Sequence, residues 1–432
     1  MLTEAHPANH CRPASCRSDP IQVVAAIQRC RVWYIANGSS IAIRNPLSLP
    51  RKPVPRATPE EHLLLRVLRG ESAPWPDNPG ADFEHRFLDA CNAEGLTALV
   101  HHRLRSTPAW TDWPAAVRKP LVHAATMQSA LDMLQERELI AVLTAFAEAG
   151  IGALLLKGAA LAYSHYPEPA LRTRCDADVL IRTADLPAAR HLLEGFGYRR
   201  PNAVTGTLVS YQECHAKREG PVDHVIDLHW QINNGQVFAH ALRFEESYAR
   251  SVPVPQLAAS ARALCPSQAL LLACMHRAAH LGVDGPEGNR LIWLYDIHLI
   301  ANAMTAGEWR DFEKLCVAKA MRWISLDALA CTQQAFGTAF PDEVIESLAH
   351  AGPREISAAY LDTNRLELLV TDLRAPTELP RRRPLDDMER AVQRIRQLFA
   401  ADRPDAGPAS APSPCAGTAD GSRLLAVPPT RL

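Results

Sequence analysis

The 432-residue chain carries 46 basic and 47 acidic side chains. This balance, a formal net charge of -1, gives no global argument for nucleic acid or a membrane surface as partner. A hydrophobic content of 47% with 22% charged residues is that of an ordinary globular protein, long enough for two or three domains. No apolar run approaches the ~20 residues needed to cross a bilayer.

Residues 1–57 are irregular and rich in Pro, Ser, Arg and Asn; only Ile21–Ile35 has a helical pattern, and Pro46–Pro55 reads as a linker. Disorder or linker is expected here, and a start codon placed too far upstream is one reading of the stretch. The N-terminus has no basic region followed by an apolar one, so no signal peptide is expected. The 11 cysteines are scattered and form no CxxC pair. Cys274, Cys316 and Cys331 fall in helical patterns, where a free thiol behaves as a small buried hydrophobe, and a reducing, cytoplasmic location is expected. His10, Cys11 and Cys16 have incomplete spacing for a metal site.

The organised chain is expected to begin at Thr58-Pro59-Glu60-Glu61, where Thr58 can cap a helix, Pro59 suits its first position and Glu61 completes a capping box. Residues 58–150 read as an N-terminal helical region. Phe83, Phe87, Leu88 and Cys91 recur at helical spacing, as do Leu96, Leu99, Val100 and Leu104. A long helix spans about 114–149 in one or two pieces, with Gly150 placed as its C′ residue.

Residues 151–255 form the expected core. Ala153–Leu156 is a buried strand, Ala159–Tyr166 a helix stopped by Pro167, and Asp176–Ile181 a second strand. A further helix runs from Thr183 to Gly195. Thr207–Ala216 and Val222–Ile232 read as antiparallel strands joined through Lys217-Arg218-Glu219-Gly220. Side chains alternate along a strand, so Asp176 and Asp178 share a face while Ala177, Val179 and Ile181 point to a core. If Asp227 lies on a neighbouring strand, three carboxylates converge, and their mutual repulsion calls for a hard divalent cation with oxygen ligands. Asp223, four residues earlier on the same face, is the competitor for this third place. A glycine after the first strand, Gly158, lets backbone amides approach an anion. Carboxylates for Mg²⁺ and a glycine turn for phosphates are the parts that nucleotidyl transfer needs.

Residues 256–400 return to helix and 401–432 read as a disordered tail. Gln268–Leu281 carries His276 and His280 at i, i+4, but without the glutamate of a metalloprotease motif. Arg290–Ala301 carries Trp293 and Asp296. His280, with Asp296 and Arg290, is expected on the far wall of the cleft; the alternative is a pair of satisfied, semi-buried histidines. Pro380–Pro384 reads as a basic loop and Asp386–Ala400 as one last helix.

The order strand–Lys157-Gly158–helix, then Arg172-x-x-x-Asp176-x-Asp178, then Asp227-Leu228-His229-Trp230, resembles the nucleotidyltransferases of the polymerase-β-like superfamily over about residues 150–300. Ala159 stands where many members carry Gly or Ser, and Ala177 replaces a larger aliphatic residue. The resemblance implies an α/β (α+β) core with a small mixed sheet, helices on one side of it, and flanking helical regions. It implies two-metal Mg²⁺ chemistry on an NTP, with ATP the first candidate, and an unknown hydroxyl acceptor. Asp176, Asp178 and Asp227 would be catalytic and metal-ligating, with Asp227 assisting deprotonation. Lys157, Gly158, Ala159, Arg172, His229 and His280 would contact the nucleotide. For Lys157 the alternative is a solvated strand-end lysine, and for Arg172 or Arg174 a structural ion pair. A catalytically weak NTP-binding scaffold and a γ-phosphate transferase are the competing functions; a nucleic-acid polymerase is disfavoured because no broad basic, aromatic-interleaved surface is evident.

Overall fold

The computed structural model describes residues 58–200, 210–281, 289–350 and 355–361, and among these residues it has thirteen α-helices and one six-stranded mixed sheet. The expected linker at 1–57, the loop at 380–384, the helix at 386–400 and the tail at 401–432 lie outside the described residues.

Four helices precede the sheet: α1 (Pro59–Arg69), α2 (Phe83–Ala93), α3 (Thr97–Leu104) and α4 (Ala115–Glu148). The capping box at α1 is formed, with the Thr58 amide donating to Glu61 Oε2 at 2.7 Å and the Glu61 amide donating to Thr58 Oγ1 at 3.2 Å. Helix α4 is one continuous rod of 34 residues, and Gly150 follows it with φ +72°, the left-handed geometry that stops a helix.

The next stretch holds β1 (Ala153–Leu155), α5 (Lys157–Ser164), β2 (Ala177–Ile181), α6 (Leu186–Gly195), β3 (Gln212–Glu219) and β4 (Val222–His229). Two short helices, α7 (Gln236–Ala239) and α8 (Phe244–Ala249), lead to β5 (Val252–Pro253) and β6 (Arg262–Ala263). The sheet order is β3-β4-β2-β1-β6-β5, so its last strands lie near or beyond residue 255. Strand β2 runs parallel to β4 and antiparallel to β1, and β3 and β4 form a hairpin.

Two expectations need correction. Lys217-Arg218-Glu219 is not the hairpin connection: the ladder continues to the pair Glu219–Val222, and the turn is Gly220-Pro221, with Gly220 at φ +58°. These polar residues stay in the strand because Lys217 Nζ reaches Glu138 Oε1 of α4 at 2.7 Å and Glu219 Oε2 at 3.4 Å. Nor are helices confined to one side of the sheet. Leu154, Leu156 and Leu180 enter one apolar core, while the alternating Leu155, Val179 and Ile181 enter a second with α4 and α6 residues such as Leu143 and Leu193. Strands β1 and β2 are apolar on both faces, and that pattern is stable only when both are covered.

The C-terminal helices are α9 (Pro266–His280), α10 (Leu291–Ala303), α11 (Ala306–Ala318), α12 (Arg322–Phe336) and α13 (Asp342–Ala349). Their apolar faces join those of α1, α2 and α3 in the larger core, so the two helical regions share one interior. Each fully buried Leu or Phe there contributes about 1.5–3 kcal/mol.

Candidate active site

The register of β2 on β4 places Asp178 directly beside Asp227. His229 follows two residues later on the same face. One ligand atom from each of Asp178, Asp227 and His229 lies within 4.8 Å of the others, and Asp178 is 5% and Asp227 9% exposed. Asp178 Oδ1 accepts from Lys157 Nζ at 2.6 Å and faces His229 Nε2 at 2.8 Å. Asp227 Oδ2 accepts from Gln212 Nε2 at 3.0 Å, whereas its Oδ1 is buried without a hydrogen-bond partner. Asp176 stands just before β2, half-buried, and is not one of the three closest groups.

The electrostatics follow from this packing. Burial, then the neighbouring charges of Asp178 and Asp227, push the Asp176 carboxyl up to about 7. Burial and Asp178 also raise Asp227. Burial acts to raise Asp178 as well, but Lys157 and His229 outweigh it and hold that carboxyl below the usual range. One carboxylate is thus firmly ionised beside two that resist ionisation.

The turn between β1 and α5 abuts this cluster, because the Leu156 amide donates to the Asp178 carbonyl at 3.0 Å. Lys157 opens α5 with φ +48°, an unusual value for a residue with a side chain. Gly158 and Ala159 lie in the first turn, where amides have no acceptor within the helix. The Ala159 methyl is buried in the smaller core, so only its backbone is free to meet a ligand. A Cβ on Gly158 would stand 3.2 Å from Arg172 Cζ, so a side chain here would crowd the guanidinium.

Arg172 itself is 7% exposed and committed to protein partners. Its Nη2 donates to Asp296 Oδ2 at 2.7 Å, its Nε to Asp296 Oδ1 at 2.8 Å, and its Nη1 to the Thr173 carbonyl at 2.6 Å. The Tyr166 hydroxyl donates to the same Asp296 Oδ1 at 2.8 Å. Asp296, expected beside His280, is buried and engaged by Arg172, the structural ion pair that was the alternative for this arginine; a buried carboxylate needs a buried cation, and Arg172 supplies one. Arg174 is likewise buried, 2.5 Å from Asp132 of α4. Arg290 donates to the Ala93 carbonyl at 3.0 Å and lies over the Trp293 ring.

His276, His280 and Trp293 form a cluster of rings with centroids 4.5–4.9 Å apart. Burial, and then the charge of Lys157, hold His276 well below the ordinary imidazole range. The i, i+4 histidines thus meet an aromatic ring and, through His276, the field of the Asp178 site. Gln212 and His276 were not among the expected site residues. Gln212 was legible in principle, since it lies opposite His229 in the hairpin.

The donor set offers a metal ion two carboxylates on adjacent strands, one imidazole, and a buried carboxylate oxygen with no hydrogen-bond partner. Among the described residues no helix is long and apolar enough to cross a membrane. The model of a family of uncharacterised nucleotidyltransferases matches residues 82–337, more than half of the chain, and the chain belongs to that family. No curated protein matches it.

Proposed function

We propose that this protein transfers a nucleoside monophosphate from an NTP, ATP first among them, to a hydroxyl acceptor, with Mg²⁺ held by Asp178 and Asp227 and a second ion shared with Asp176. The observation that carries the reading is the pairing of Asp178 with Asp227 across two parallel strands, with Asp227 Oδ1 left buried and without a donor. Bound Mg²⁺ would supply charge neutralisation and alignment of the attacking and leaving oxygens. We assign the first-turn amides of Gly158 and Ala159, with Lys157, to the β- and γ-phosphates, since a helix N-terminus favours anions. Asp227, whose carboxyl is raised by burial, takes the proton of the attacking hydroxyl. His229 orients Asp178, and the His276–His280–Trp293 wall is where the base stacks. Arg172 supports the phosphate turn from behind through Gly158.

In this reading the nucleotidyltransferase core runs from residue 151 past 255 to β6 (Arg262–Ala263), which completes the sheet beside β1, and helices α1–α4 and α9–α13 flank it. We assign the protein to a reducing cytoplasm, where thiols packed into helical cores, such as Cys274 and Cys316, persist. A second reading, an NTP-binding scaffold, draws on the Lys157–Asp178 contact, which already neutralises the carboxylate. Incubation with each α-labelled NTP and a cell lysate tests both. Pyrophosphate release with label on an acceptor is expected; nucleoside diphosphate as product would point to γ-phosphate transfer, and NTP binding without either product would leave the scaffold.

A further inference from the structure

Lys157 stands where a cation would be needed. Its Nζ lies 2.6 Å from Asp178 Oδ1, an oxygen that His229 Nε2 also approaches at 2.8 Å. A divalent ion bound at that oxygen and an ammonium at contact distance from it would repel each other at short range in a site largely closed to water. The lysine side chain is 20% exposed against 7% for Asp178, so the lysine is the partner nearer to solvent. Lys157 is also the first residue of α5, so the same side chain springs from the turn assigned to the phosphates. Its backbone is held at φ +48°, one of three non-glycine positive φ values among the described residues. Such strain collects at switch positions.

We infer that Lys157 is a resident counter-ion that exchanges with the metal: it neutralises Asp178 while the site holds no ion, is displaced when a divalent cation takes that oxygen, and then closes on the triphosphate. The inference rests on the metal–nucleotide reading above and adds to it an order of events and a second role for one residue. It requires that Lys157 oppose binding of the bare ion and favour binding of the ion with nucleotide. A merely structural lysine would move both affinities in one direction.

The test uses the full-length chain and two readouts that do not depend on turnover. Mn²⁺ affinity, followed by the electron paramagnetic resonance of the free ion, is measured for wild type and Lys157→Met, with and without a non-hydrolysable ATP analogue. Lys157→Met is expected to bind Mn²⁺ alone about tenfold more tightly, since one ion pair no longer has to be broken, and the Mn²⁺–nucleotide complex about tenfold more weakly. Because the variant can fail to fold, acetylation of Lys157 by acetic anhydride is also followed in wild type by peptide mass spectrometry. Labelling should rise several-fold on adding Mg²⁺ and fall again with the nucleotide analogue. Wild type that takes up no Mn²⁺ overturns the metal reading and the exchange together. Wild type that binds Mn²⁺ while Lys157 labelling stays constant, or a folded variant that binds the bare ion no more tightly, overturns the exchange alone.

Discussion

Arg172 and Asp296 clasp each other through two parallel hydrogen bonds of 2.7 and 2.8 Å, tying the segment before β2 to helix α10 more than a hundred residues later. Both are buried, and Tyr166 adds a third donor. Removing one partner of such a pair leaves an uncompensated charge, which costs about 3–5 kcal/mol. Asp296→Leu and Arg172→Met should each lower unfolding free energy on that scale by urea denaturation. The double replacement Arg172→Met with Asp296→Leu should cost clearly less than the sum, because no orphan charge remains. Additive losses would mean that the two side chains act independently.

Gly158→Ala tests the packing beneath the turn between β1 and α5. In an ordinary helix the change is stabilising by up to about 1 kcal/mol. Here the new methyl would meet Arg172 Cζ at 3.2 Å and both terminal nitrogens at 3.3 Å, and Asp296 prevents the guanidinium from retreating. The expected outcome is a loss of about 1–3 kcal/mol, the scale of overpacking. In an Arg172→Met background the loss should shrink. Thermal or urea unfolding of the four proteins decides it, and a stabilising Gly158→Ala in wild type would refute the close approach.

How far the sequence carried depended on the kind of interaction. Local signals were plain: Thr58 with Glu61 announced a helix start, and Gly150 its end after α4. The Asp178–Asp227 proximity was readable as a conjecture because each aspartate interrupts an apolar strand, and burial there needs a reason. The partners of charged residues were not readable. Lys217 and Glu219 looked like a turn because their partner Glu138 lies on a helix far away in sequence. Asp296 looked like a site residue because a carboxylate on an apolar helix signals function or a buried cation equally well, and only the fold brings Arg172 to it. His229 stands among the three closest ligand groups because β4 lies beside β2, a strand pairing that the sequence pattern alone does not specify.

The pH response of the hairpin follows from Glu213. Arg190 of α6 grips it through two hydrogen bonds of 2.7 and 2.6 Å, and His215 Nε2 lies 2.8 Å away. Burial acts to raise this carboxyl, but His215 and Arg190 outweigh burial and bring it from the ordinary 4.5 down to about 2. A carboxyl depressed in the folded state stabilises fully above its unfolded value and loses that contribution as pH falls through the folded value. Glu213→Gln should therefore lower the melting temperature at neutral pH. The gap to wild type should narrow as pH falls from about 5 towards 2, the window between the unfolded and folded values. A gap that widens on acidification would contradict the assignment.

Asp223 and Asp227 project from one face of β4, and the register separates them. Asp227 pairs with Asp178, whereas Asp223 pairs with Arg218 across the hairpin, their charged groups 3.9 Å apart and both well exposed. Four residues of strand put Asp223 ~13 Å from Asp227, beyond the reach of an ion held by Asp178. Asp223→Asn should therefore change stability by less than about 0.5 kcal/mol and leave turnover within several-fold. Asp227→Asn should leave much of the nucleotide affinity in place, because Asp178 and the Gly158 turn remain. It should cut turnover at least ~100-fold, the scale for losing a general base, and further if an ion is lost with it. The measurement is pyrophosphate release at saturating NTP with a cell-derived acceptor, both variants in parallel. Loss of release in Asp223→Asn with activity retained in Asp227→Asn would place the third carboxylate at the hairpin end and overturn the pairing of Asp227 with Asp178 as the centre of the site.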